Sequence, residues 1–346
     1  MRMAIIGYGG VGSAFIRLLN DKKSNLVHEG IDIVVHYIIN SSGGIYDPAG
    51  INYLDVIEFS KTKRDLTKYP KGGSKDVTFD KMLERKDVDI VVEMTPTNKK
   101  TGEPGMTHIT KALENGIHVV TANKGPILLN FRKLNELAAQ NKVQLCIGCT
   151  TGGALPAING GIMDLAGADI LSIEGVLNGT TNFILKEMDD QGSTYKEALK
   201  KAQDLGIAET DPTLDVEGWD TAAKLLILTN VLMNEEKTLE DITVEGITNI
   251  TPQDIQQAKA EKKKYKLIGK TINEDQILKM TVKLEKLEDT HPLYGVEGKN
   301  KAVRYTSDTL GDLTIIGGAS GVMPAAASIL RDVINIHRGY KFSKFR

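Results

Sequence analysis

Cysteine is scarce in this chain, which has only two, Cys146 and Cys149, too few for a disulfide framework. Their C-x-x-C spacing would suit a redox or zinc pair, but a zinc site needs further ligands and no second pair exists. Both read instead as small residues of a buried strand. An excess of charge of one sign is also missing. The chain has 43 Lys and Arg against 45 Asp and Glu, with no long block of either, which argues against nucleic acid or an anionic membrane surface as partner. No apolar run approaches the roughly 18 to 20 residues of a membrane span, and the start, MRMAIIGYGG, lacks the basic and continuous apolar regions of a signal peptide. Internal repeats and low-complexity linkers are absent too. These absences leave a cytoplasmic protein that handles a small molecule.

Domains typically run about 50 to 250 residues, so a chain of 346 predicts two. The first third alternates β-rich runs at 3–7, 31–39, 88–94, 117–122 and 143–148 with helical patterns near 11–20, 80–85, 104–115 and 130–141. That alternation implies a parallel sheet with helices on its faces. The texture changes from Thr150, where TTGGALPAINGGIMDLAG is glycine-rich and apolar. Further on, QILKMTVKLEKL (276–287) alternates as a half-buried antiparallel strand should. KAEKKKYK (259–266) reads as a solvated helix face, and DLTIIGGASGVMPAAASILRDVINI as strand, glycine loop and apolar helix. The expected fold is α/β: a Rossmann-type doubly wound parallel sheet over 1–148, rejoined by 311–340, with an inserted α+β substrate and dimerisation domain over 149–310. The glycine-rich segment and the C-terminal apolar helix suggest a homodimer contact.

Gly7, Gly9 and Gly12 have G-x-G-x-x-G spacing, after one strand and before one helix. Gly7 permits the tight turn, Gly9 lets the backbone approach a pyrophosphate, and Gly12 packs helix on strand, with Tyr8, Gly10 and Val11 completing the loop. The helix N-terminus then offers free N–H groups to phosphates. An acid normally ends the second strand and grips the ribose of NAD, but here the strand ends in Asn40-Ser41-Ser42. The missing acid removes the repulsion that excludes NADP, and no arginine stands beside it, so NAD or NADP stays open. Thr95-Pro96 and Asn123-Lys124 follow two later strands at the carboxyl end, where open sheets bind ligands.

LGIAETDPTLDVEGWDTAAKLLIL (205–228) places Glu209, Asp211, Asp215, Glu217, Asp220 and Lys224 at the edge of an apolar helix. Burying an unpaired charge is costly. Asp220 and Lys224 share a helix face, and alone they would be an ordinary i,i+4 pair worth about 0.3 to 0.5 kcal/mol. That does not account for the acids in the preceding loop. A pocket for an α-amino acid does: carboxylates bind its ammonium and orient a lysine that donates a proton.

These motifs, in one order over nearly the whole chain, resemble homoserine dehydrogenase. GYGGVG resembles the family's nucleotide loop, TANKGP its lysine-bearing loop, GVLNGTTNFIL its GTTN segment, LGIAETDPTLDVEGWDTAAK its signature, and GGASGVMPAAASILRDVI its C-terminal glycine loop with Gly318. The resemblance implies reversible NAD(P)-dependent reduction of L-aspartate 4-semialdehyde to L-homoserine, a step toward threonine, methionine and isoleucine. Carried over by position, Glu209 binds the substrate amino group and Asp215 and Asp220 complete the polar wall, with Asn178, Gly179 and Thr180 beside the substrate. Lys224 donates the proton, and Lys124 lies by the nicotinamide and helps hold the oxygen.

Gly148 stands where the family often has a glutamate linked to a structural monovalent cation, so no metal is expected beyond a backbone site near Thr151, Gly153 and Leu155. The chain also ends soon after the returning helix, which leaves no room for an appended regulatory or kinase domain. Two alternatives come from different classes. One is aspartate-semialdehyde dehydrogenase with Cys149 as nucleophile, in which the 205–228 stretch and GTTN have no place. The other is a non-catalytic NAD(P)-binding sensor, which needs the glycine loop but not Lys124, Glu209, Asp220 and Lys224 together.

Overall fold

The computed structural model describes every residue except 64, 275–276 and 344–346. The chain divides into two compact units, one of Met1–Thr150 with the segment from Gly321 onward, the other of Thr151–Ser320. The return to the first unit therefore begins at Gly321 and not at residue 311. The reason is that Asp312–Gly317 pairs along Lys301–Ser307 as an edge strand of the second unit's sheet.

The first unit is built on β1 (Arg2–Ile6), β2 (Val34–Asn40), β3 (Gly43–Tyr46), β4 (Gly73–Ser74), β5 (Ile90–Glu93), β6 (His118–Thr121) and β7 (Leu145–Cys146), in the order β4-β3-β2-β1-β5-β6-β7. From β2 through β7 every pairing is parallel. Strands covered on both faces read as continuous apolar runs, and Met3, Ala4, Ile5, Ile90, Val91 and Val92 are all 0% exposed. Strand order reverses around β1, which opens a crevice beyond the carboxyl ends of β1 and β5. The fold adds an antiparallel edge that sequence reasoning missed: β3 pairs with β2, and β4 with β3. Gly43 makes the turn with φ +133°, where a Cβ would lie 2.5 Å from the Ser74 carbonyl oxygen.

Two helices run longer than their patterns suggested. The first spans Gly10–His28, because beyond the polar run at 20–25 it buries Leu26. Another begins at Lys124, with Pro126 in its first turn, and bends at Asn130. The C-terminal helix Val322–His337 packs along Gly10–His28 and buries Ala326, Ile329 and Val333. Cys146 is in β7, whereas Cys149 opens the short helix Cys149–Gly152, so only the first of the two is a strand residue.

The second unit carries β8 (Ile170–Val176), β9 (Ile242–Val244), β10 (Lys263–Glu274), β11 (Ile277–Glu288), β12 (Lys301–Ser307) and β13 (Asp312–Gly317), in the order β13-β12-β8-β10-β11-β9. Helices Gly179–Gln191 and Trp219–Leu232 pack on this mostly antiparallel sheet. The alternating run read as 276–287 is β11, although residue 276 lies outside the described residues. The lysine-rich run 259–266 is no solvated helix face. Its helix stops at Ala260, β10 starts at Lys263, and Lys266 is 3% exposed, with Nζ donating to Asn182 Oδ1 at 3.0 Å and to the Val296 carbonyl. Periodicity could not reveal this, since one buried lysine among solvated ones leaves no pattern. Among the described residues no helix is long and apolar enough to cross a membrane.

Candidate active site

The crevice of the first unit holds a cavity of about 650 Å³. Of the residues expected to bind cofactor, Gly7, Tyr8, Gly9, Gly10 and Val11 line it on one side, with Asn40, Ser41, Thr95 and Pro96 on the others. Gly7 has φ +99°, and a Cβ there would meet the Met94 carbonyl oxygen at 2.6 Å, so only glycine fits. A Cβ on Gly9 would meet nothing within 4 Å, which leaves the approach to the backbone open. Gly9 caps the helix without a side chain, so the first N–H groups have no side-chain acceptor. These features fit the pyrophosphate of a dinucleotide. The wall also includes Lys75, Thr78, Phe79 and His108, which sequence reasoning missed because they come from elements beyond the glycine loop.

Gly12, Asn123, Lys124 and Gly318 do not line this cavity. Gly12 packs against Gly7, where an added Cβ would lie 2.5 Å from the Gly7 carbonyl oxygen. Gly318 belongs to the second unit and packs against Leu155, whose backbone nitrogen would lie 2.5 Å from a Cβ. Lys124 is half-buried at the start of its helix, which Asn123 caps by accepting from Gly125 N at 3.1 Å. Asn123 Nδ2 also donates to the Thr95 carbonyl at 3.3 Å. Behind these loops sits Glu93, 0% exposed, which also escaped sequence reasoning. It accepts from Thr95 N at 3.0 Å, from the Thr95 hydroxyl, and from Thr121 Oγ1 at 3.0 Å. A buried carboxylate needs such donors, and here they tie the ends of β5 and β6 together.

In the second unit the acids and lysine of 205–228 meet the GTTN segment. Asn178 lies two residues beyond β8 and caps helix Gly179–Gln191 through Oδ1, which accepts from Thr181 N at 3.0 Å. Its Nδ2 donates to Asp215 Oδ1 at 2.7 Å and to Asp220 Oδ2 at 2.9 Å. Lys224 Nζ donates to Asp220 Oδ2 at 2.5 Å and to the Leu177 carbonyl at 2.8 Å. Gly218, at φ +89°, lets the chain turn into helix Trp219–Leu232 and so sets Asp220 and Lys224 on it. Gly179 approaches the Lys299 carbonyl, which a Cβ would meet at 3.1 Å, and Thr180 Oγ1 donates to the Ile207 carbonyl at 3.2 Å. Glu209 is exposed, and its carboxylate stands outside this hydrogen-bonded cluster; only its backbone carbonyl is held, by Gln203. Asp211 caps a turn, accepting from Thr213 N at 3.1 Å, and Glu217 is exposed. Asn182 donates to the Val296 and Gly298 carbonyls, both at 3.1 Å, which ties the following loop to the GTTN helix.

Among the described residues no three His, Cys, Asp or Glu side chains converge on a metal position. Beside Gly153 there is already a buried cation. Lys301 Nζ, on a residue 5% exposed, donates to the Gly152 carbonyl at 2.6 Å and lies 3.6 Å from where a Gly153 Cβ would sit. Two cations so close in a poorly solvated place repel. With glycine at 148 as well, these residues do not fit a metal ion. Cys149 is 8% exposed and its thiol faces the Ala325 carbonyl at 3.7 Å, a poor setting for a thiolate nucleophile.

Comparison with known proteins agrees with this geometry. Residues 7–147 match the family model described as homoserine dehydrogenase, NAD binding domain, and residues 156–334 the one described as homoserine dehydrogenase. The chain is 39% identical over 341 residues to the homoserine dehydrogenase of Methanocaldococcus jannaschii, covering 99% of this chain and 100% of that protein. It is 34% identical over 340 residues to the NAD(+)-dependent homoserine dehydrogenase of Pseudomonas canavaninivorans, covering 97% and 96%. A solved structure of a hyperthermophilic archaeal homoserine dehydrogenase mutant in complex with NADPH superposes with a TM-score of 0.84 at 26% identity, covering 99% of each chain. With both units matched and near full-length identity of 39%, the chain belongs to the homoserine dehydrogenase family of NAD(P)-dependent oxidoreductases.

Proposed function

We propose that the protein interconverts L-aspartate 4-semialdehyde and L-homoserine with NAD or NADP, in the route toward threonine, methionine and isoleucine, as a cytoplasmic homodimer. The observation that carries the chemistry is the Asn178–Asp215–Asp220–Lys224 cluster. Two of the three ammonium hydrogens of Lys224 are committed, to Asp220 and to Leu177, which leaves one for a substrate oxygen. The bound cofactor supplies or takes the hydride. In the reducing direction the carbonyl oxygen gains negative charge, which the Lys224 ammonium stabilises more in the transition state than in the ground state before it gives up its proton. Asp220 holds that ammonium in place, and Asn178 holds Asp220.

Glu209 and Asp215 are assigned to the substrate ammonium, with Gly179 and Thr180 beside it. Lys124 is assigned to the nicotinamide end of the cofactor, and the glycine loop to its pyrophosphate. The test is initial rates with L-homoserine and each oxidised cofactor, followed by nicotinamide absorbance. Turnover with either cofactor supports the reading. Clear cofactor binding without hydride transfer to any semialdehyde would return the sensor alternative.

A further inference from the structure

We propose that Lys75 is the residue that receives the 2′-phosphate of NADP(H), and that the protein prefers the phosphorylated cofactor. This rests on the dinucleotide reading of the first cavity. Three observations carry it. First, β2 ends in Asn40, and the Asn40 carboxamide is used locally: Oδ1 accepts from Ser42 N at 2.9 Å. It therefore does not replace the acid that grips a free ribose diol.

Second, among the described residues the cavity lining includes no Asp or Glu, and Lys75 is the one lysine or arginine in it. A phosphate there meets no repelling carboxylate. Third, the antiparallel edge brings Lys75 to that place. Gly44 pairs with Ser74 and Ile45 with Gly73, and the Lys75 Cα would lie 2.7 Å from a Cβ on Gly43. Lys75 thus stands beside the Asn40–Gly43 turn although it is thirty-five positions along the chain from Asn40.

Lys75 is exposed, and among the described residues no carboxylate lies within ion-pair distance of it. Nearby acids are engaged elsewhere, Asp76 with Lys81 at 3.1 Å and Asp80 with Lys111 at 2.7 Å. A compact ammonium without a carboxylate partner, on a wall with no other lysine or arginine among the described residues, suits a dianionic monoester.

The test is calorimetric binding of NADP+, NAD+, 2′,5′-ADP and ADP to the full-length protein, which does not depend on turnover. The 2′-phosphorylated member of each pair is expected to bind more tightly. Lys75→Ala should weaken that member about tenfold to a hundredfold more than its partner, the range of a hydrogen bond to a charged group. Lys75→Arg should keep the preference. Equal affinity for both members of each pair, or equal loss of both in Lys75→Ala, overturns the assignment. Circular dichroism separates a misfolded variant from a specific loss. If the binding preference behaves as expected while homoserine is not oxidised, the Lys75 assignment stands and the dehydrogenase reading falls.

Discussion

Lys224 and Asp220 form an ion pair one helical turn apart, 2.5 Å from Nζ to Oδ2, with each side chain 13% exposed. An exposed pair at this spacing would contribute only about 0.3 to 0.5 kcal/mol and would tolerate loss. A half-buried pair that also engages Asn178 and the Leu177 carbonyl has fewer alternatives, because removing either partner leaves a poorly solvated charge. General acids contribute about 10² to 10⁴ to rate, so Lys224→Ala should lower kcat by two to four orders of magnitude. Cofactor affinity should survive, since Lys224 belongs to the second unit and the glycine loop to the first. Steady-state rates with a parallel binding titration check this, and near-normal turnover would remove Lys224 from the proton-donor role.

Glu209 should behave differently. It is exposed, and its carboxylate is not held by the cluster. If it binds the substrate ammonium, Glu209→Ala raises the KM for homoserine about tenfold or more, the value of one charged hydrogen bond, with a smaller change in kcat. An unchanged KM in a homoserine titration would count against the role.

Asn178 carries two tasks that substitutions can separate. Its Oδ1 caps a helix and its Nδ2 holds Asp215 and Asp220. Asn178→Ala should lose both, with about 1 kcal/mol of stability from the cap and a large fall in kcat/KM. Asn178→Ser should recover the thermal midpoint, because serine caps well, without recovering activity, because its hydroxyl cannot bridge two carboxylates. Recovery of both would show that the amide serves only folding.

Stability should change with pH in two windows. Lys264 and Lys186 hold the Glu297 carboxyl down, from an ordinary 4.5 to about 2. The unfolded chain takes up that proton first, so this stability is present above pH 4.5 and is lost as pH falls toward 2. Burial pushes the Lys266 ammonium down as well, from 10.5 to about 8. Between those values the unfolded chain holds the extra proton, so this contribution rises with pH. Urea unfolding at intervals across both ranges checks the signs: Glu297→Gln should flatten the acid limb, and Lys266→Met should remove a rise of about 2 to 3 kcal/mol on the alkaline side.

The Lys301 ammonium beside Gly152 predicts a rate that is indifferent to the monovalent cation in the buffer. Exchanging sodium or potassium for a bulky organic cation at constant ionic strength should change kcat by less than about twofold, because the local positive charge is covalently supplied. A strong and saturable requirement for one alkali cation in that exchange would contradict it.

Much of the fold was legible in the sequence, for a local reason. Apolar runs bounded by turn residues, the glycine spacing at 7–12 and the acid-loaded loop before Trp219 all act through neighbours a few residues away. Such signals survive without knowledge of the rest of the chain. They located the strands of the parallel sheet, the glycine loop and the Asp220–Lys224 pair. They failed where a boundary depended on partners distant in sequence. Leu26 extends a helix because it finds a core to enter. Asp312–Gly317 joins the second unit because Lys301–Ser307 offers an edge.

The site divides in the same way. The sequence by itself determined which groups are available: the glycine loop, the acids, Asn178, Lys224 and the missing acid after β2. Only the tertiary structure decided which of them act together. Asn178 reaches two acids that lie thirty-seven and forty-two positions later in the chain. Glu93 vanishes into the interior to hold two loop ends, and Lys266 leaves its solvated neighbours for a buried carbonyl. An antiparallel sheet edge that no periodicity announces brings Lys75 to a wall with no acid among the described residues. A charge has no local pattern, and its surroundings exist only once the chain has closed around it.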